Sequence, residues 1–223
     1  MPLTDLSPLW LSLQIAGFAT LWTTLLGTLA ARLLLGISPR RRLLIETFIL
    51  SPLVLPPTVI GYGLMLALGR NGPLKFLVSD GLLFTRTASV IAAVTVSFPL
   101  MYLSARAAFR SVDRALTDAA RSFGARNLRT FFSIEVPLAI LGLSAGVLLC
   151  FGRALGEFGA TLMVAGNIPG LTQTLPIALY FDVEAADYSR AGVWCAIALV
   201  TSGLIIWIIN TLTEHRSSQT HHG

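Results

Sequence analysis

Arg153 and Glu157 interrupt one of the long apolar runs of the chain, LAILGLSAGVLLCFGRALGEFGATLMVAG. Residues four apart lie on one face of a helix, so this arginine and this glutamate can form an ion pair. Charged groups at membrane depth are costly and usually face a bundle interior or water. Because no turn signal precedes Gly166, we interpret the pair as deep in the membrane, and a position at its interface is the alternative.

The other reactive side chains form no recognisable catalytic or metal site. No G-x-x-x-x-G-K-[ST] sequence occurs, so we expect no ATP on this chain and no cofactor of its own. His215, His221 and His222 lie in the polar tail, where a disordered end is a simpler explanation than metal binding. Cys150 and Cys195 lie within apolar runs, where we interpret them as small core residues. Neither catalytic residues nor metal ligands are predicted.

The composition places these residues in a membrane. Of 223 residues, 54% are hydrophobic and 12% are charged, which is about half the charged fraction of a soluble domain. The predicted fold class is an all-α integral membrane protein with about five transmembrane helices. The net charge of +5 comes almost wholly from arginine, and we interpret it as a topology signal and not as nucleic-acid binding. The start contains Asp5 and no base, so we expect it to be part of a span and not a signal peptide.

Five apolar segments are predicted to cross the membrane, at residues 9–35, 43–69, 87–109, 137–165 and 191–212. The positive-inside rule then puts the N-terminus outside and the C-terminus in the cytoplasm. The bases on the predicted inner side are Arg32, Arg40, Arg41, Arg42, Arg106, Arg110, Arg114, Arg121, Arg126, Arg129 and Arg216, and those outside are Arg70, Lys75, Arg86 and Arg190. Arg32 is expected to snorkel. Residues 166–190 are predicted to form an outer loop with a short helix at 176–187.

Prolines and glycines concentrate in the second predicted span, which contains SPLVLPPTVIGYG. Each proline removes a backbone donor, so the segment cannot be one straight helix. A kinked helix that lines a transport path and a kinked helix packed on its neighbours are both compatible with this pattern. The candidate residues for a path or a bundle interior are Pro56, Pro57, Gly61, Arg153, Glu157 and Gly159.

Between the third and fourth predicted spans lies a polar segment, residues 113–137, DRALTDAARSFGARNLRTFFSIEVP. Apolar residues recur in it at helical spacing, Asp113 and Asn127 are possible N-caps, and Gly124 is a possible left-handed residue. The pattern predicts two short amphipathic helices bent at Gly124, with a surface of Ala and Phe that another protein could hold. A basic loop lying on lipid headgroups is the alternative.

The sequence DAARSFGARNLRTFFSIEVP resembles the Glu-Ala-Ala loop of permease subunits of ATP-binding-cassette importers. Asp118 stands where that family usually has Glu. The resemblance implies that this segment is a coupling loop seated in a cleft of an ATPase subunit. The residues implied in the contact are Asp118, Ala119, Ala120, Gly124, Ala125, Leu128, Phe131, Phe132 and Pro137.

A second resemblance narrows the family. RALGEFGATLMVAGNIPGLTQTLPIALY, together with SPLVLPPTVIGYGL and SFPLM, resembles molybdate permease subunits, and sulfate permeases share the GEFGA core. What this implies is a homodimer in the cytoplasmic membrane of a bacterium or archaeon, two cytoplasmic ATPase subunits that bind ATP and Mg²⁺, and an extracytoplasmic oxyanion-binding protein. Molybdate or tungstate is the implied cargo.

Three alternatives stay open at this stage: a sulfate or thiosulfate importer, an ion-coupled secondary transporter and a membrane-embedded enzyme. A secondary transporter tends to show internal repeats and intramembrane carboxylates. Glu157 is the one candidate for such a carboxylate in the sequence. An enzyme would need a polar catalytic cluster, which the sequence does not offer.

Overall fold

A computed structural model describes residues 6–73 and 81–217 of the chain, so Lys75, His221 and His222 lie outside the described residues. Within the described part, all regular structure is helical, which confirms the all-α class. The helices are α1 (Ser7–Leu35), α2 (Pro39–Val54), α3 (Pro57–Leu68), α4 (Arg86–Arg110), α5 (Arg114–Ser122), α6 (Asn127–Thr130), α7 (Val136–Leu155), α8 (Gly159–Ala165), α9 (Leu175–Glu184) and α10 (Tyr188–Ser217). A π-helical turn, Phe131–Glu135, joins α6 to α7.

Four helical stretches among the described residues are long and apolar enough to cross a membrane, and a bent pair of helices would make a fifth. The four are Ser7–Leu35, Arg86–Arg110, Asn127–Leu155 and Tyr188–Ile208. This number agrees with the prediction of about five spans.

The predicted span at residues 43–69 is two helices, α2 and α3, bent by 115°. Pro57 has no N–H to continue α2, and a proline pushes the residue before it into an extended conformation. Leu55 and Pro56 accordingly have ψ angles of 140° and 137°. Pro57 then starts α3, where its missing donor costs nothing. The predicted break in a straight helix is thus present as a sharp bend, and the crossing of the membrane by this pair as one span stays a prediction.

The predicted span at residues 137–165 was wrong at both ends. The helix is continuous from Asn127 through the π-helical turn to Leu155. After Leu155 the chain breaks at residues 156–158 and resumes as the short helix α8. The second short amphipathic helix of residues 113–137 is thus the beginning of a membrane-spanning helix and not a separate element.

The core is a bundle of α1, α4 and α7, in which small residues let the backbones approach closely. A Cβ atom placed at Gly142 of α7 would lie 2.6 Å from the Cβ of Ala108 on α4, and one at Gly146 would lie 2.7 Å from the Cβ of Ser104. Membrane helices associate through such close contacts because lipid supplies no hydrophobic driving force between them. Tyr102 is fully buried in this bundle.

The remaining helices lie around the bundle. α3 and α8 pack on each other and on α4 through a second core cluster that includes Ile60 and Val164. The predicted short outer helix corresponds to α9, which is held to α10 where Trp194 Nε1 donates to Asp182 over 2.9 Å. α10 is largely exposed and carries Cys195 on its surface. Of the two cysteines predicted to be core residues, Cys150 alone is buried.

Candidate functional site

The segment predicted as a coupling loop, residues 113–137, starts with a capped helix and turns at a glycine. Asp113 caps α5 by accepting a hydrogen bond from the Ala115 N–H over 2.9 Å. Gly124 has a φ of +82°, and its N–H donates to the Arg121 carbonyl over 2.9 Å. The N-cap at Asp113 and the left-handed glycine are confirmed. Asn127 is the first residue of α6 and caps nothing, so that prediction was wrong.

Several apolar side chains of this segment are exposed on the surface of the chain. Phe123 is 92% exposed and Leu128 is 72% exposed, and both are costly to leave in water unless another surface covers them. Phe132, Asp118 and Ala119 are also exposed, as is Pro137, whereas Ala120, Ala125 and Phe131 are half-buried. A hollow of about 350 Å³ opens between α5 and the π-helical turn, with Ala120, Gly124 and Ser133 in its lining.

An ion pair joins the π-helical turn to the first helix. Glu135 is buried, and its carboxylate accepts a hydrogen bond from Arg32 Nη2 over 2.9 Å. A π-helical turn has a wider hydrogen-bond register than an α-helix and often occurs at functional sites. Arg32 therefore does not simply snorkel towards headgroups but ties α1 to the end of residues 113–137.

A second buried carboxylate ties the bent helix α2 to the core. Glu46 accepts a hydrogen bond from the Tyr102 hydroxyl over 2.5 Å and pairs with Arg106 over 2.9 Å. Arg42 lies 3.9 Å away on the preceding turn of α2. Among the described residues of α2, Glu46 has the one buried side chain, and its polar contacts add to the apolar packing of α2 on the core.

The predicted pair between Arg153 and Glu157 is present, at the break between α7 and α8. Arg153 Nη1 donates to Glu157 Oε2 over 2.7 Å, and Glu157 Oε1 accepts from the Ala160 N–H over 2.8 Å. Glu157 is thus a charge partner for α7 and the cap of α8 at once. Its side chain is almost fully buried, while that of Arg153 is 32% exposed.

The two breaks in the membrane helices lie beside each other. A Cβ atom placed at Gly159, the first residue of α8, would lie 3.0 Å from the Cβ of Pro57, the first residue of α3. One turn further along α3, a Cβ at Gly61 would lie 2.7 Å from the Cβ of Met163. The first residues of α3 and α8 therefore lie beside each other, and the two short helices pack against each other from there.

Comparison with known proteins assigns the chain to a family. Residues 23–218 match the family described as the inner membrane component of binding-protein-dependent transport systems. The chain belongs to this family. The molybdenum transport system permease protein ModB of Escherichia coli K12 is 38% identical over 223 residues, with 96% of each chain covered. The ModB protein of Haemophilus influenzae is 36% identical over 227 residues, with 98% of each chain covered.

Solved transporters share the fold of this permease. A bacterial ABC transporter that imports the acidic polysaccharide alginate has a chain that superposes with a TM-score of 0.76 at 15% identity, covering 95% of this permease and 79% of that chain. An amino acid ABC transporter superposes with a TM-score of 0.61 at 18% identity, covering 92% of each chain. At these identities the likeness concerns the fold alone.

The predicted site residues of the permease fall into two separate groups. The residues from Asp118 to Pro137 lie together around the Gly124 turn and the π-helical turn. Pro57, Gly61 and Gly159 meet between α3 and α8, the Arg153–Glu157 pair lies at the adjoining break, and Pro56 is exposed at the bend. The described residues contain no group of three side chains that could hold a metal ion.

Sequence reasoning missed two of the three carboxylates that are buried among the described residues of the permease. Glu157 was the one intramembrane candidate, but Glu46 and Glu135 are buried as well. Their partners are distant in sequence: Arg32 is 103 residues from Glu135, and Tyr102 is 56 residues from Glu46. The available signal was a charge of each sign at the predicted inner end of neighbouring apolar segments, which suggests a pair without showing which residues form it.

Proposed function

We propose that this chain is the membrane-spanning subunit of an ATP-binding-cassette importer that carries molybdate or tungstate across the cytoplasmic membrane. The observation that carries the proposal is the match to ModB proteins of Escherichia coli and Haemophilus influenzae, at 36% to 38% identity over almost the full length of each chain. The same proposal has the chain act without catalysis of its own, since energy enters from ATP and Mg²⁺ bound to separate ATPase subunits.

The coupling contact is proposed to lie at residues 113–137. The surface of this segment has a protruding part and a recess, of mixed apolar and basic character. The exposed side chains of Phe123 and Leu128 protrude, and the hollow beside Gly124 is the recess. Such a surface suits a partner protein with an apolar cleft and acidic rim. Because α6 runs without interruption into α7, a push on this segment would act directly on a membrane-spanning helix.

The translocation path is proposed to pass the two helix breaks at the centre of a homodimer. Pro56 and Pro57 have no N–H, so carbonyl groups at the end of α2 lack the donors of a following helical turn. Such backbone is tolerated in a membrane only inside protein or beside water. A tetrahedral dianion in a conduit needs donors that hold it weakly. Glu157 neutralises Arg153, so the dianion would meet a moderated positive charge near Gly159.

The orientation and the assembly belong to the same proposal. The arginine-rich ends of α1 and α4 and residues 113–137 face the cytoplasm, with the N-terminus outside and the C-terminus inside. Two copies of the chain bind two ATPase subunits, and an extracytoplasmic binding protein delivers the oxyanion to the opposite face. The delivery step is supported by a bacterial alginate ABC transporter of the same fold, which has been solved in complex with its alginate pentasaccharide-bound periplasmic protein.

Uptake into proteoliposomes tests the function. The permease, the ATPase and the binding protein are reconstituted together, and radiolabelled molybdate uptake is measured with each component omitted in turn. We expect uptake that requires all three components and ATP, and competition by tungstate more than by sulfate. Uptake that persists without the ATPase would indicate a secondary transporter, and stronger competition by sulfate would indicate a sulfate permease.

A further inference from the structure

A basic cavity lies at the inner end of the helix bundle, separate from the hollow beside Gly124. It has a volume of about 360 Å³ and is enclosed by the ends of α1 and α4 and one side of α5. Its charged lining consists of Arg32, Arg110, Arg114, Arg121, Asp118 and Glu135. Four positive and two negative side chains leave a surplus of two positive charges.

The surplus charge is on Arg110 and Arg114. Glu135 is engaged by Arg32, and Asp118 lies 3.6 Å from Arg121. Among the described residues, no carboxylate pairs with Arg110 or with Arg114. Both arginines are exposed and line one cavity without a carboxylate partner, and guanidinium groups are suited to bind a phosphate group.

An apolar groove of about 620 Å³ lies along the seam between α1 and α7. Thr28 lines the groove one helical turn before Arg32, and Phe132 lines it three residues before Glu135. The groove thus comes within about one helical turn of the Arg32–Glu135 pair, and that pair lines the cavity. A ligand that fills both must carry an anionic head and a long apolar chain.

We propose that the cavity and groove together bind one anionic phospholipid, with its phosphate between Arg110 and Arg114 and an acyl chain along α1 and α7. Basic pockets beside membrane helices are known to hold anionic lipid headgroups, and polybasic surfaces attract them. The lipid would hold α1, α5 and α7 together at the start of the coupling segment. This inference rests on the proposed function only for the orientation of the chain in the membrane, which assigns the lipid to the cytoplasmic leaflet.

Lipid retention by the purified full-length chain tests the site. The chain is exchanged into detergent with equal amounts of phosphatidylglycerol and phosphatidylcholine, and bound lipid is counted by native mass spectrometry. Arg110→Gln with Arg114→Gln should lower phosphatidylglycerol retention about tenfold or more, as the loss of two arginine contacts implies. Arg40→Gln with Arg41→Gln removes two exposed arginines that do not line the cavity, and it should retain lipid as the wild type does.

Two further arms separate lipid from other occupants. Ser144→Phe fills the groove wall and should lower phosphatidylglycerol retention with every arginine in place. Sodium phosphate should not displace the lipid, because a free anion lacks the acyl chain. Unchanged retention in the cavity variant, an equal loss in the Arg40/Arg41 variant, or displacement by phosphate would each overturn the proposal. A change in oligomeric state of the Ser144 variant with unchanged lipid would assign the groove to a second copy of the chain. Lipid retention and oligomeric state are measured without transport, so these results do not depend on which oxyanion the importer carries.

Discussion

Arg32, in the last turn of α1, and Glu135, in the π-helical turn before α7, form an ion pair across 103 residues of sequence. The Glu135 side chain is 9% exposed and that of Arg32 is 28% exposed. The pair joins the first membrane helix to the end of the segment that we propose docks on an ATPase. It is therefore placed to set the position of that segment relative to the bundle.

Glu135→Gln should weaken this attachment while preserving the shape of the side chain. Removing one partner of a buried pair leaves an uncompensated charge, and we expect a loss of about 2–3 kcal/mol because Arg32 is partly exposed. The exchange Arg32→Glu with Glu135→Arg should recover part of the thermal stability. Binding-protein stimulation of ATP hydrolysis, measured on the assembled complex, should fall in the single variant and return in the exchange. Equal stimulation in all three proteins would show that the pair is only structural.

Gly124→Val should disrupt the turn after α5. A Cβ atom at Gly124 would meet nothing within 4 Å, so the effect comes from the φ of +82° and not from a clash. A β-branched residue is strongly disfavoured in this conformation, whereas Asn tolerates it. We expect Gly124→Val to lose ATPase association in a pull-down and Gly124→Asn to keep most of it.

Gly170→Val is the matched control for the Gly124 variant. Gly170 has a φ of +73° and equally open surroundings, but it lies in the turn between α8 and α9, among residues predicted to face outward. It should therefore strain the backbone in the same way and leave ATPase association unchanged. If both valine variants lose ATPase association, general destabilisation is the cause, and the result does not support an ATPase contact at residues 113–137.

Glu157→Gln and Glu157→Ala should separate the two contacts of that carboxylate. Gln keeps an oxygen for the Ala160 N–H and loses the charge that faces Arg153, and Ala loses both. We expect a cost of about 2–4 kcal/mol for Gln, reduced from the fully buried case because Arg153 is partly exposed, and about 1 kcal/mol more for Ala through the lost cap. Thermal unfolding in detergent measures both, and Arg153→Met with Glu157→Gln should restore part of the loss. Wild-type stability in Glu157→Gln would mean that water, and not Glu157, satisfies Arg153.

Features set by a few neighbouring residues could be predicted from the sequence. The cap at Asp113, the left-handed Gly124 and the Arg153–Glu157 pair depend on residues at most a few positions apart, where residue type and spacing limit the conformation. The apolar segments also followed directly from composition. The functional roles of the residues in both candidate sites remain predictions.

Features set by packing between distant segments could not be predicted. A proline pair indicates a break, but the 115° angle at Pro56 depends on how α3 packs against α8. The partnership of Arg32 with Glu135 appears only once α1 and α7 lie side by side. The end of α7 at Leu155 was missed for the same reason, because Glu157 caps α8 through a contact that apolar periodicity does not contain.

Gly61→Ala should force apart the two half-helices beside the proposed path. The new Cβ would lie 2.7 Å from the Cβ of Met163 and 2.9 Å from the Cα of Ala160, so the α8 backbone must move. Overpacking of this kind costs about 1–3 kcal/mol. Gly63→Ala is the matched control, since it lies in the same helix and its Cβ would meet nothing within 4 Å. We expect Gly61→Ala to lower molybdate uptake by the reconstituted importer, and Gly63→Ala to match the wild type. If the Gly61 variant loses thermal stability but keeps full uptake per folded complex, the contact between α3 and α8 does not shape the path.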